Sequence, residues 1–308
     1  MNSKKANLAF LISIICYIAV VLLIPHFFPA VTGNLIISNV LCEMVILLPG
    51  LLFVLLSKEK AIGFLGFRKI KISTVLAIIP FTMLTSPFIT LVNLISQFFV
   101  ENEVTNMVDG FQMTQMPFWQ VFGTVAIFAP FCEELACRGV YYHSHKKSGG
   151  MFKALLVSSL IFAMVHMNIN QASYAFVVGV LAVLLVEATG SLWSSIIYHG
   201  LINGSQMVLL FAVQAVDPQA YSQASAEAVT TEMLVYMVAV YLAMAAVCLP
   251  LGWALLVWIS GREGRSGILK TVWEERKKKD KVISVSLIVA LILCIAVIAW
   301  TMIAPHLM

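Results

Sequence analysis

Apolar residues run along this chain in stretches of about 17–26 residues, each long enough to cross a hydrocarbon core of about 30 Å as a helix. Short polar or charged connections separate them. The pattern predicts spans near 8–24, 34–57, 74–99, 118–142, 151–168, 171–188, 191–214, 232–258 and 282–303. The runs lack the strict alternation of barrel strands. A backbone facing lipid must also satisfy its own hydrogen bonds, so helices are expected throughout. The fold class read here is all-α, a polytopic transmembrane bundle of about nine spans (eight to nine). Lys4 and Lys5 precede the first run, as in a signal peptide. No A-x-A-like site follows in IPHFFPAVTGN, and the run is long for such a segment, so an uncleaved first span is expected.

Composition agrees. Of 308 residues, 61% are hydrophobic and 11% charged, with a mean hydropathy of +0.96. A soluble domain carries about 45–50% apolar and about 25% charged residues. An ordinary cytosolic enzyme, a disordered chain and a nucleic-acid binder are excluded on that ground. Cys16, Cys42, Cys132, Cys137, Cys248 and Cys294 all lie in apolar runs without zinc-type spacing, and read as small buried hydrophobes.

Charge then orients the bundle. With the N-terminus cytoplasmic, the inner side receives Lys4, Lys5, Lys58, Lys60, Arg68, Lys69, Lys71, Lys146, Lys147 and Lys153. It also receives the run from Arg262 to Lys281, so that only Arg138 among the Lys and Arg residues falls elsewhere. The opposite connections carry Glu101, Glu103, Asp109, Asp217 and Glu227 and no basic residue. Segment 58–73 mixes apolar and basic residues as an interfacial segment does. The run 270–281 reads as a topology anchor on anionic headgroups. The organisation expected is one membrane domain over 1–308, with a core at 117–206 and a basic cytoplasmic loop at 259–281.

A charged group at membrane depth costs at least ~2.5–3.5 kcal/mol and needs a partner or a task. Glu187, beside Thr189-Gly190, reads as a solvated helix end. Glu43 has no partner visible in sequence. In the fourth span, Glu134 and Arg138 share a face at i, i+4 and can pair, which leaves Glu133 free of that clamp. In the fifth, His166 lies one turn beyond Phe162; in the seventh, His199 and Asn203 share a face. Gly200 and Gly204 beside them allow a neighbouring backbone to come close. A hairpin turning at Gly149-Gly150 brings Glu133 and His166 to one level, and His199 reaches it roughly 14 Å above Thr189-Gly190 at 1.5 Å per residue. The groups can therefore meet inside the membrane, at a depth expected to be reached from the cytoplasmic side. Phe162, Phe176 and the methionines read as packing or lipid contact.

These three motifs, EELACR (Glu133, Glu134, Arg138), FAMVH (Phe162 to His166) and HGLIN (His199 to Asn203), resemble the CPBP family. Its members are the CAAX-protease and bacteriocin-processing intramembrane endopeptidases, also called the Abi family. The resemblance covers roughly 117–206, with LGFRK (Leu65 to Lys69) a weaker match. Cys137 stands where an aromatic is common, and Gly139-Val140 follows the first motif. The resemblance implies hydrolysis of a peptide bond in a membrane-associated protein or peptide, in contact with the lipid bilayer and with no nucleic acid. It implies Glu133 as the base that takes a proton from water, with His166 holding that water. It implies His199 and Asn203 as donors to the oxyanion, and Glu134 and Arg138 as orienting residues.

The metal question stays open at this point. Glu133, Glu134, His166 and His199 are plausible ligands for zinc or manganese. HExxH spacing is absent and Asn203 is a poor zinc ligand, which favours a cofactor-free glutamate mechanism. Two other readings stand beside the protease. One is a secondary transporter with an intramembrane Glu/His relay, which the lack of an internal repeat disfavours. The other is an inactive scaffold or immunity protein of the same fold. Ser158, Ser159, Ser194 and Ser195 lack a GxSxG context for a serine nucleophile. Compact size and the absence of an organelle-targeting tail fit a bacterial cytoplasmic membrane.

Overall fold

The computed structural model describes residues 1–217, 229–278 and 282–303. Glu227, Lys279 and Lys281 lie outside the described residues. Within them the chain is helical, with no strand. Among the described residues, eight helices are long and apolar enough to cross a membrane: α1 (Ser3–Phe27), α2 (Leu35–Leu55), α3 (Ile72–Ser96), α4 (Phe118–Ser148), α6 (Ile169–Thr189), α7 (Leu192–Val216), α8 (Thr231–Arg262) and α9 (Val285–Ile303). The fifth predicted span is instead a 14-residue helix, α5 (Met151–Met164). At 1.5 Å per residue it is about 21 Å long, short of a full crossing. It stops because the backbone turns over Val165–Asn168, where Met167 takes φ +54°, and Asn168 caps α6 by accepting from the Gln171 N–H. His166 therefore sits on a turn at a helix end rather than inside a span.

Helix α8 packs along α3, α5 along α6, and α1 against both α2 and α9. Close approach follows from small residues. A Cβ on Gly179 of α6 would stand 2.9 Å from the Ser159 Cα of α5, and one on Gly200 of α7 would stand 3.0 Å from the Ala126 carbonyl oxygen of α4. The second contact bears out the small-residue reading of α7. Cys132, Cys137 and Cys294 are buried as expected; Cys16 is exposed on the outside of the bundle, and Cys42 and Cys248 are partly buried.

The basic connections gather at one end. Segment 58–73 forms a short helix (Ala61–Leu65) and docks under α7: the Gly66 carbonyl accepts from the Leu192 N–H and the Arg68 carbonyl from the Ser191 hydroxyl. Glu187 is not a solvated helix end. It is 1% exposed and accepts from the Tyr142 hydroxyl at 2.8 Å, the Lys146 ammonium at 2.5 Å and the Arg265 guanidinium at 3.2 Å. The tertiary fold carries α4 and the connection after α8 across the end of α6, and their charges enclose it.

Candidate active site

The two adjacent carboxylates of α4 sit on a short regular turn, Ala129–Glu134, between two wider π-helical stretches, Gly123–Phe128 and Leu135–Tyr142. Pro130 has no N–H to give the carbonyl four residues back, and its ring crowds that carbonyl; the widened stretch before it relieves the conflict. Backbone oxygens there become available to other helices. Asn203 of α7 donates one amide N–H to the Val125 carbonyl at 3.0 Å. Its second amide hydrogen remains for another acceptor.

Glu134 and Arg138 form the expected pair, 2.7 Å apart with both side chains fully buried. The same carboxylate oxygen lies 3.1 Å from His199 Nδ1. An ionised carboxylate only accepts, so His199 carries its proton on Nδ1 and turns Nε2 away. That Nε2 faces Glu133 Oε2 at 3.5 Å, beyond ordinary hydrogen-bond length, and Oε2 has no hydrogen-bond partner among the described residues. His166 likewise donates Nδ1–H to the Phe162 carbonyl at 2.8 Å, leaving Nε2 as an acceptor. The site thus holds two imidazoles of matched tautomer, each fixed from behind, an arrangement that sets which nitrogen does chemistry.

Phe162 is more than packing. Its ring lies under the Arg138 guanidinium, 4.2 Å from the centroid, and meets His166 and His199 edge-to-face at 5.0 and 5.4 Å. It is the common wall of all three motifs. Its spacing four residues before His166 was the available signal, but nothing local distinguishes such a Phe from an ordinary core residue.

Glu133, His166, His199 and Asn203 all line one cavity of about 420 Å³, while Glu134 and Arg138 lie behind its wall. Glu43 of α2 lines the same cavity, within hydrogen-bond reach of Glu133, which supplies the partner that sequence could not name. Asn39, one turn before it, adds a buried amide oxygen with no hydrogen-bond partner among the described residues. As for a metal, no three His, Cys, Asp or Glu side chains among the described residues come together as an ion would require. Glu134 in particular is already engaged by Arg138 and His199. The four residues considered as ligands do not fit that role here.

Residues 115–205 match the family model described as type II CAAX prenyl endopeptidase Rce1-like. That segment contains all three motifs. The match agrees with the resemblance that those motifs carry. The matched residues run from just before α4 to the middle of α7 and so include most of the helices that wall the site. UPF0177 protein YbdI of Lactococcus lactis subsp. lactis (strain IL1403) is 32% identical over 118 residues, covering 37% of this chain and 59% of that protein. The match thus spans about three-fifths of that curated relative. No solved structure matches the chain.

Proposed function

We propose that this protein is an intramembrane endopeptidase that hydrolyses a peptide bond of a membrane-associated protein or peptide. The observation that carries the reading is a carboxylate with an unpartnered oxygen, Glu133, facing the same cavity as His166, His199 and Asn203. In this reading a water held between Glu133 and His166 Nε2 gives a proton to Glu133 as its oxygen attacks the carbonyl carbon. The oxyanion accepts from the free amide hydrogen of Asn203 and from His199 Nε2, once that nitrogen has taken up a proton from water in the cavity in addition to the one on Nδ1. Glu134 stabilises that imidazolium from behind, and Arg138 holds Glu134. Glu133 then passes its proton to the leaving nitrogen as the C–N bond breaks, so the water supplies both the new C–O bond and the amine's proton.

Glu43 acts through Glu133 as its neighbour across the cavity, and Phe162 keeps the two imidazoles and Arg138 in register. The relative in Lactococcus lactis and the single apolar bundle support a bacterial cell membrane as the setting. The test compares membrane-peptide profiles of cells carrying the native chain and Glu133→Gln. Peptides cut in the first and intact in the second, with equal accumulation of both chains, are expected. Identical profiles in the two would end the proposal.

A further inference from the structure

The cavity has a direction. Its lining comes from the first half of α2 (Leu35 to Ile46), of α4 (Val125 to Glu133) and of α6 (Gln171 to Val178), and from the far end of α5. Each of these parts is the one remote from the basic connections. Along α7 the lining runs from His199 outward to Met207. Beyond them lies the short helix Glu103–Gly110, whose Val104, Met107 and Val108 line the cavity while Thr105, Asn106 and Asp109 are exposed. Asn170 at the start of α6 ties this helix down by accepting from the Glu103 N–H at 3.1 Å. The helix thus turns its apolar face to the cavity and its polar face to solvent.

Towards the basic end the site is floored. His199 is seven residues up α7 from Leu192, roughly 10 Å at 1.5 Å per residue. Over that depth Leu65, Leu135 and Leu192 close on Gly139, whose absent Cβ would stand 3.2–3.4 Å from their methyl groups. Phe67, Trp193 and Phe131 stack beside this floor, with ring centroids 5.2 and 6.5 Å apart. The expected approach from the cytoplasmic side meets this packing, whereas the cavity lining extends the other way, up to the apolar cluster of Leu35, Val108, Met113 and Met207.

We infer that the site is reached from the membrane face opposite the basic loops, and that its substrate is an outer-face juxtamembrane peptide segment. Because positively charged connections stay in the cytoplasm, that face is the extracytoplasmic one. The segment would lay its apolar side chains against the Met107, Val108 and Met113 wall, with its scissile bond reaching down to Glu133. The word substrate rests on the endopeptidase reading; the direction of entry does not.

The experiment separates the two. In the full chain with Cys16, Cys42 and Cys248 changed to alanine, Gln206→Cys sets a thiol at an exposed position of the cavity lining, and Lys270→Cys sets one at the basic end. A charged, membrane-impermeant maleimide is applied to right-side-out and inverted vesicles. Gln206→Cys is expected to label in right-side-out vesicles and Lys270→Cys only in inverted ones. Labelling of Gln206→Cys only from the Lys270 side, or from neither side, overturns the inference, and Gln171→Cys repeats the test if the first variant fails to accumulate. New peptide termini found only on the cytoplasmic side of substrate membrane segments would also overturn it while leaving the protease intact. Outer labelling with no cleaved peptides would retain the entry path and remove the protease.

Discussion

Glu187 and Glu133, both carboxylates drawn into this bundle, are housed in opposite ways. Around Glu187, a phenol, an ammonium and a guanidinium converge, and Arg265 also donates to the Glu187 backbone carbonyl at 2.6 Å. Around Glu133 no Lys or Arg among the described residues is in contact; its neighbours are a second carboxyl, two imidazoles and open volume. The Arg138 guanidinium is directed to Glu134 instead. A carboxylate surrounded by cations is fixed and contributes to folding. One whose counter-charge is held a residue away keeps a free oxygen for a water. The adjacent pair Glu133–Glu134 divides these roles between neighbours: the second glutamate takes the structural partners, and the first is left exposed to the cavity.

The division can be broken. Removing one member of the buried pair, by Arg138→Ala or Glu134→Ala, leaves an uncompensated buried charge and is expected to cost ~3–5 kcal/mol, with loss of accumulated protein. Thermal unfolding in detergent measures it, and wild-type stability in both variants would mean that the pair does not hold the site. Next in size, Asn203→Ala or His199→Ala should lower peptide cleavage by ~10²–10³-fold while the chain still folds, as expected for loss of one oxyanion donor. Cleavage rates per folded molecule decide this, and an unchanged rate in Asn203→Ala would remove the amide from the reaction.

The smallest change sharpens the contrast at the other cluster. Glu187→Gln keeps the shape and removes the charge. Its partners Lys146 and Arg265 are about a third exposed, so the expected loss is only ~1–2 kcal/mol, with cleavage per folded molecule unaltered. A fall in the cleavage rate without a fall in stability would show that the basic end also takes part in catalysis.

Much of the architecture was legible in the chain. Span positions follow from run length, because only a helix of about 20 apolar residues satisfies its backbone across the bilayer. The pairing of Glu134 with Arg138 and the packing of α7 through Gly200 follow from i, i+4 spacing, a local rule of the helix. The early end of α5 was less visible, since a turn at Val165–Asn168 leaves hydropathy nearly unchanged. Glu43 and Phe162 were legible as residues but not as parts of a site. Glu43 reaches Glu133 from a helix about ninety residues earlier, and periodicity within one helix carries no information about which face of another it meets. The same reason accounts for Glu187, whose enclosing cations come from α4 and from the connection after α8. Local spacing and hydrophobicity settle which segments are helical and apolar; the azimuth of each helix about its own axis, and hence which residues face one cavity, comes from packing among helices that are distant along the chain.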